Sequence, residues 1–231
     1  DALKTRIQNL DWMSEETKAK ALDKWSKFLP KIGYPETWRS WDGLSISKDG
    51  YYANMQAASK FNYDYDIAKI GKPTDRQEWG MTPQTVNAYY NPTDNTINFP
   101  AAILQPPFFN ANADDAINYG GIGAVIGHEA SHGFDDQGSQ FDGSGNLDNW
   151  WTDADKKQFD ERAQKLVDQF DNYAPLPDHP DLHVNGKLTL GENIADLGGL
   201  NIAYDALQTA LKNHPAEATQ KIDGYTEDQR F

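Results

Sequence analysis

The sequence has 231 residues, enough for one large domain with a core of its own, which excludes a mini-protein stapled by disulfides. Lys and Arg number 21 against 35 Asp and Glu, a net charge of −14, so a broad phosphate-binding surface is not the design and no nucleic-acid partner is expected. There is no cysteine, hence no disulfide framework, thiolate metal site or cysteine nucleophile, and no apolar run nears the roughly 20 residues of a membrane-spanning helix.

The chain opens on Asp1 within a helical pattern, without initiator Met or signal-peptide layout, and is read as a fragment of a longer protein. From Ser14 to Leu29, Ala19, Leu22, Trp25 and Leu29 recur at helical spacing, with Ser14 as cap and Pro30 as stop. Residues 30–82 are rich in Gly, Pro, Trp and Tyr, and Tyr51 to Lys60 is their best helical stretch. Residues 85–90 and 96–99 are β-rich and flank the turn residues 91–95, which predicts a hairpin; Pro92 and Pro100 place it at a sheet edge.

From Asp114 to Phe134 the sequence reads as one helix, apolar on most sides despite Gly120, Gly121, Gly123 and Gly127. Each glycine costs about 1 kcal/mol relative to Ala, so close helix packing must hold it. The run superficially suggests a dinucleotide-binding turn, but its glycine spacing is wrong and no strand precedes it. Residues 141–147 form a turn, and Thr152 with Asp155 starts a helix carrying Phe159, Ala163, Leu166 and Phe170 as one stripe. After a Pro- and Gly-broken loop at 174–187, Ile194, Leu197, Ile202, Leu207 and Leu211 mark a last long helix. The expected fold is mainly α with a small β-hairpin or edge-strand element, a helical lead-in over 1–82 and a core over 83–231.

The sharpest chemical signal is His128-Glu-Ala-Ser-His132. On a helix the two imidazoles share a face at i and i+4, where both reach a zinc ion, and Glu129 is placed to take a proton from a bound water. Two imidazoles leave a third ligand to be found among His, Asp and Glu; the spacing that would supply another His places Asp135 and Gly138 instead. Glu192 and Asp196, i and i+4 at the start of an otherwise apolar helix, are the best suppliers, with Glu192 as ligand and Asp196 as acceptor for a ligand imidazole. Alternatively they are acids favoured at a helix N-terminus by its dipole.

Val86-Asn-Ala-Tyr-Tyr90, residues 99–109, Tyr119-Gly-Gly-Ile-Gly123, residues 128–136, Asn149-Trp-Trp151 and Gly191-Glu-Asn-Ile-Ala-Asp196 closely resemble, in order and spacing, the neprilysin family of zinc metallopeptidases. Leu10-Asp-Trp-Met13 and Ile32-Gly-Tyr-Pro35 are similar to it as well, so the resemblance runs over nearly the whole chain. It implies an incomplete, thermolysin-like catalytic domain holding one zinc per chain through His128, His132 and Glu192. Glu129 would be the general base and Asp196 the partner of a ligand histidine. Asn87 and Ala88 would hold the substrate backbone against an edge strand. Ile103, Phe108 and Val125 would form an apolar pocket for a large hydrophobic residue after the scissile bond.

The implied activity is endopeptidase cleavage of oligopeptides. The resemblance further implies a large helical N-terminal portion and, beyond the region matching Phe231, a histidine and an arginine that complete the site; these missing parts of the parent are the expected partners besides the substrate. A cysteine-free chain looks like the family's bacterial oligopeptidases, implying a bacterial cytoplasm, with an extracellular or cell-surface setting as the alternative. An inactive, zinc-stabilised peptide-binding domain and an acidic, aromatic-rich glycan binder are competing readings, of which the first does not need Glu129 and the second does not explain residues 128–132. Asp135 and Asp136 are further candidates behind the metal ligands. Residues 142–146 read as a plain turn rather than a calcium loop, and His179 and His183 as loop residues.

Overall fold

The computed structural model of the chain describes residues 1–48, 50–215 and 217–231. In chain order the elements are α1 (Ala2–Asn9), α2 (Glu15–Ser26), β1 (Leu29–Gly33), α3 (Tyr51–Ile67), β2 (Tyr89–Asn91), β3 (Thr96–Pro100), α4 (Asp115–Asn118), α5 (Ala124–His132), α6 (Asp153–Asp171), α7 (Leu190–Asn213) and α8 (Glu227–Arg230). Residues 1–34 and 80–231 make one compact unit and residues 35–79 another. In the smaller unit α3 has no buried residue; Trp41 stacks on Phe61 with ring centroids 5.6 Å apart, and the Arg39 guanidinium lies 4.0 Å from the Tyr65 ring centroid. Among the described residues no helix is long and apolar enough to cross a membrane.

Ser14 caps α2, its hydroxyl accepting from the Thr17 backbone N–H. The buried face of α2 is not the expected apolar stripe: Thr17, Ala21 and Lys24 are buried, Leu22 and Trp25 only partly, and Ala19 is exposed. Apolar periodicity misses this face because two of its three residues are polar and earn burial through specific partners. Thr17 donates to Asp155, which also accepts from the Ser14 and Thr152 hydroxyls and the Ser14 N–H, pinning α2 to the first turn of α6. Burial alone would raise the Asp155 carboxyl, yet these donors hold it well below the usual carboxylate range.

The helix expected to run to Leu29 stops at Ser26, and the following residues form a strand with Pro30 inside it. The sheet order is β1-β3-β2, with β1 parallel to β3 from Leu29 opposite Thr96 to Gly33 opposite Pro100, and β2 antiparallel to β3 with Tyr89 opposite Asn98. The hairpin is therefore present, but its second strand is central and Pro100 closes that strand. A proline fits β1 because one of its sides faces no other strand of this sheet.

The single helix expected over 114–134 is α4, a π-helical turn at Tyr119–Gly123 and α5. The turn opens where the Ile122 N–H pairs with the Phe108 carbonyl at 2.8 Å. Close packing does explain the glycines. A Cβ at Gly127 would stand 2.5 Å from the Gly199 carbonyl oxygen, and one at Gly199 would stand 2.5 Å from the His128 backbone nitrogen. Helices α5 and α7 thus cross backbone to backbone. Apolar clusters around Ile7, Met13, Ala21, Trp150 and Trp151, and around Ala163, Val167 and Leu190, flank this pair.

Candidate metal centre

Helix α5 carries His128 and His132 one turn apart, their rings nearly perpendicular at 87° and their Nε2 atoms 3.0 Å from each other. The close crossing with α7 brings Glu192 against them, its Oε2 at 3.4 Å from His128 Nε2 and 3.7 Å from His132 Nε2. One donor atom from each of the three residues lies within 4.8 Å of the others. Behind the rings, His128 Nδ1 is 2.8 Å from Asp196 Oδ1 and His132 Nδ1 is 2.7 Å from Asp135 Oδ2. A carboxylate only accepts, so each Nδ1 carries a proton, and in the neutral ring each Nε2 presents its lone pair. Two lone pairs and a carboxylate oxygen aimed at one point repel unless a cation lies among them.

The spacing suits a particular cation. Donors held 2.0–2.1 Å from a tetrahedral centre lie about 3.3 Å apart, and the three edges here are 3.0, 3.4 and 3.7 Å. Imidazole and carboxylate without thiolate are zinc ligands of the kind found where a fourth position stays open for a water or substrate. The residues present therefore fit the metal expected from the sequence.

Glu129, adjacent to His128 on α5, is buried and accepts a hydrogen bond from the backbone N–H of Tyr90 on β2. Burial pushes its carboxyl above the ordinary value, and the nearby Glu192 adds to this, while His132, His128 and the Tyr90 N–H oppose it. For His132, burial favours the neutral ring, but Asp135, Glu129 and Glu192 outweigh it and raise its pKa. A carboxyl whose hold on a proton is strengthened by burial suits a group that both takes and returns one.

These side chains line a cavity of about 730 Å³. Asn87, Ala88, Tyr89 and Tyr90 form one wall, and Met81, Lys187 and Leu188 also reach it, three residues that no sequence pattern singled out. Asn87 Oδ1 accepts from the Ala88 N–H at 2.9 Å, at the entry to β2. Ile103, Phe108 and Val125 do not line this cavity; they pack with Ala88 in one apolar cluster, Ile103 buried and the other two partly so. The turn at 142–146 is organised by Asp142, whose Oδ1 accepts from the Ser144 and Asn146 N–H groups, as expected of an ordinary turn.

With the site described, comparison with known proteins gives a consistent result. Sequence models for peptidase family M13 match residues 87–231 and 1–35. Neprilysin-11 of Caenorhabditis elegans is 44% identical over 97% of this chain and 27% of its own length. An endothelin-converting enzyme homolog of Locusta migratoria is 43% identical over 94% of this chain and 30% of its own. The crystal structure of the Mycobacterium tuberculosis zinc metalloprotease ZMP1 in complex with inhibitor superposes with a TM-score of 0.93 at 53% identity, covering 99% of this chain and 35% of that one. The chain thus spans about a third of the length of these relatives.

Proposed function

The chain belongs to peptidase family M13, and from that premise we propose that it forms the zinc-bearing part of an endopeptidase that hydrolyses oligopeptides. The observation that carries this reading is the convergence of His128, His132 and Glu192 beside a buried Glu129 whose pKa is raised. Bound zinc would supply a Lewis acid that polarises a peptide carbonyl and acidifies a water. Glu129 takes the proton of the attacking water and returns it to the leaving amine nitrogen as the C–N bond breaks. Asp196 and Asp135 keep each imidazole in the tautomer that offers Nε2 to the metal.

Substrate positioning is proposed from the wall of the cavity. Strand β2 lies at the edge of the sheet, so an extended peptide can lie along Asn87, Ala88 and Tyr89. The apolar cluster of Ile103, Phe108 and Val125 beside Ala88 supports a preference for a large hydrophobic residue after the scissile bond.

The test is Glu129→Gln in the intact protein, assayed with a quenched fluorescent oligopeptide and by metal analysis. The expected outcome is one zinc per chain retained and hydrolysis reduced by about 10²–10⁴-fold. Undiminished hydrolysis would overturn the role of Glu129. Zinc and peptide binding without hydrolysis by the unmodified protein would favour a binding domain instead.

A further inference from the structure

Lys24 is 1% exposed, among the most deeply buried large side chains of the described residues. Lysine is almost never fully buried without a reason, because removing an ammonium from water costs several kcal/mol. Its Nζ donates to the carbonyl oxygens of Gly138 at 2.6 Å and Phe141 at 2.7 Å, and it lies 5.6–5.8 Å from the ring centroids of Phe134 and Tyr90. These partners surround the segment that follows α5, the segment that supports His132.

That segment has two sides. On one, the N–H groups of Gln137 and Gly138 donate to Asp135 Oδ1 at 2.9 and 2.6 Å, while Asp135 Oδ2 holds His132 Nδ1. On the other, the Gly138 and Phe141 carbonyls converge on Lys24. Gly138 takes part in both, and a Cβ there would collide with the His132 carbonyl oxygen, so the turn is packed directly against the ligand helix. Trp150 and Trp151 steady the same turn through Phe141 O and Ser139 O. Among these donors Lys24 alone ties two carbonyls of the turn together from one atom, Gly138 O and Phe141 O.

We propose that Lys24 is a positioning residue of the metal centre: it clamps the 135–141 turn and thereby fixes Asp135, which aims His132 Nε2 at the zinc. This inference rests on the zinc reading above. It assigns a role in metal affinity to a residue of α2, more than one hundred positions from the ligands in sequence. Substitutions behind metal ligands typically cost 10–100-fold in affinity, and an effect relayed through Asp135 should fall at the lower end of that range.

The experiment is zinc affinity by chelator competition on the full chain, with the visible spectrum of the cobalt-substituted protein as a second readout. Lys24→Met is expected to weaken zinc about 10-fold and to shift the cobalt bands, and the double variant with Asp135→Asn should bind no worse than Asp135→Asn alone. Thr17→Val, on the same helix face, loses its bond to Asp155 and should lower thermal stability while leaving zinc affinity and the spectrum unchanged. If Lys24→Met does not fold, Lys24→Gln retains a donor for one carbonyl and is expected to give a smaller loss of the same kind. Unchanged affinity and spectrum in the Lys24 variant, additive losses with Asp135→Asn, or an equal loss in Thr17→Val would each overturn the proposal. Failure of the unmodified chain to take up zinc, or uptake indifferent to His132→Ala, would overturn the zinc reading itself and this inference with it.

Discussion

His132 leans on Asp135, a carboxylate whose side chain is 6% exposed and which two backbone N–H groups hold in place; His128 leans on Asp196, 81% exposed and 68 residues away on another helix. The third ligand, Glu192, shares the second situation, with its side chain 68% exposed on α7. One half of the centre is therefore built locally, from α5 and the turn that follows it, and rests on an enclosed carboxylate. The other half exists only because α7 passes close enough to present two carboxylates. The local half is insensitive to small movements of α7, whereas the open half depends on the helix crossing.

Gly199→Ala should break the open half alone and give the largest effect. The added methyl would meet the His128 nitrogen at 2.5 Å and the Ala124 carbonyl oxygen at 2.7 Å, both backbone atoms that cannot rotate away. The helices must separate, carrying Glu192 and Asp196 from His128. Expected are a loss of roughly 100-fold or more in zinc affinity and about 2 kcal/mol in stability, measured by chelator competition and urea unfolding. Wild-type affinity would mean that the crossing does not set the ligand spacing.

Paired substitutions then compare the two supports directly. Asp135→Asn should weaken zinc about 10–100-fold, since the imidazole N–H loses its anionic acceptor at a position, 6% exposed, that water barely reaches. Asp196→Asn should cost less than about 10-fold, because water can take the place of a carboxylate that is 81% exposed. Equal losses, again by chelator competition, would abolish the distinction between the halves.

The same contrast governs what the sequence discloses. His128, Glu129 and His132 are adjacent on one helix, and Glu192 and Asp196 share one face of another, so helical periodicity exposes both groups. Their meeting was read first from the need for a third ligand, with a helix-dipole role for the two acids left open, and then from the resemblance of ordered motifs; no local rule states that Gly127 and Gly199 touch. Asp135 was visible as a candidate behind the ligands, but only alongside Asp136, and the sequence did not tell which of the two meets His132. Strand β1 was hidden by Pro30 and by pairing across more than sixty residues with β3. Lys24 was hidden more thoroughly, since pattern reading assigns a lysine to the solvated side of a helix and only the convergence of two distant carbonyls reverses that.

Lys24 also gives the local half a pH signature. Burial lowers its pKa from 10.5 to about 7, with Asp135 and Asp142 opposing the shift. Below pH 7 the lysine is charged in both folded and unfolded chains and the burial penalty is present in full. Between about 7 and 10.5 the unfolded chain binds more protons than the folded one, so this group makes stability rise with pH, by roughly 2 kcal/mol between pH 7 and pH 9. Other titrating groups contribute their own slopes, which cancel when the unmodified chain is compared with Lys24→Met at both pH values by urea unfolding. The variant should lack that increment; an identical pH dependence in the two proteins would show that the folded Lys24 keeps its proton throughout, and that the carbonyls and Asp135 hold the ammonium more strongly than burial opposes it.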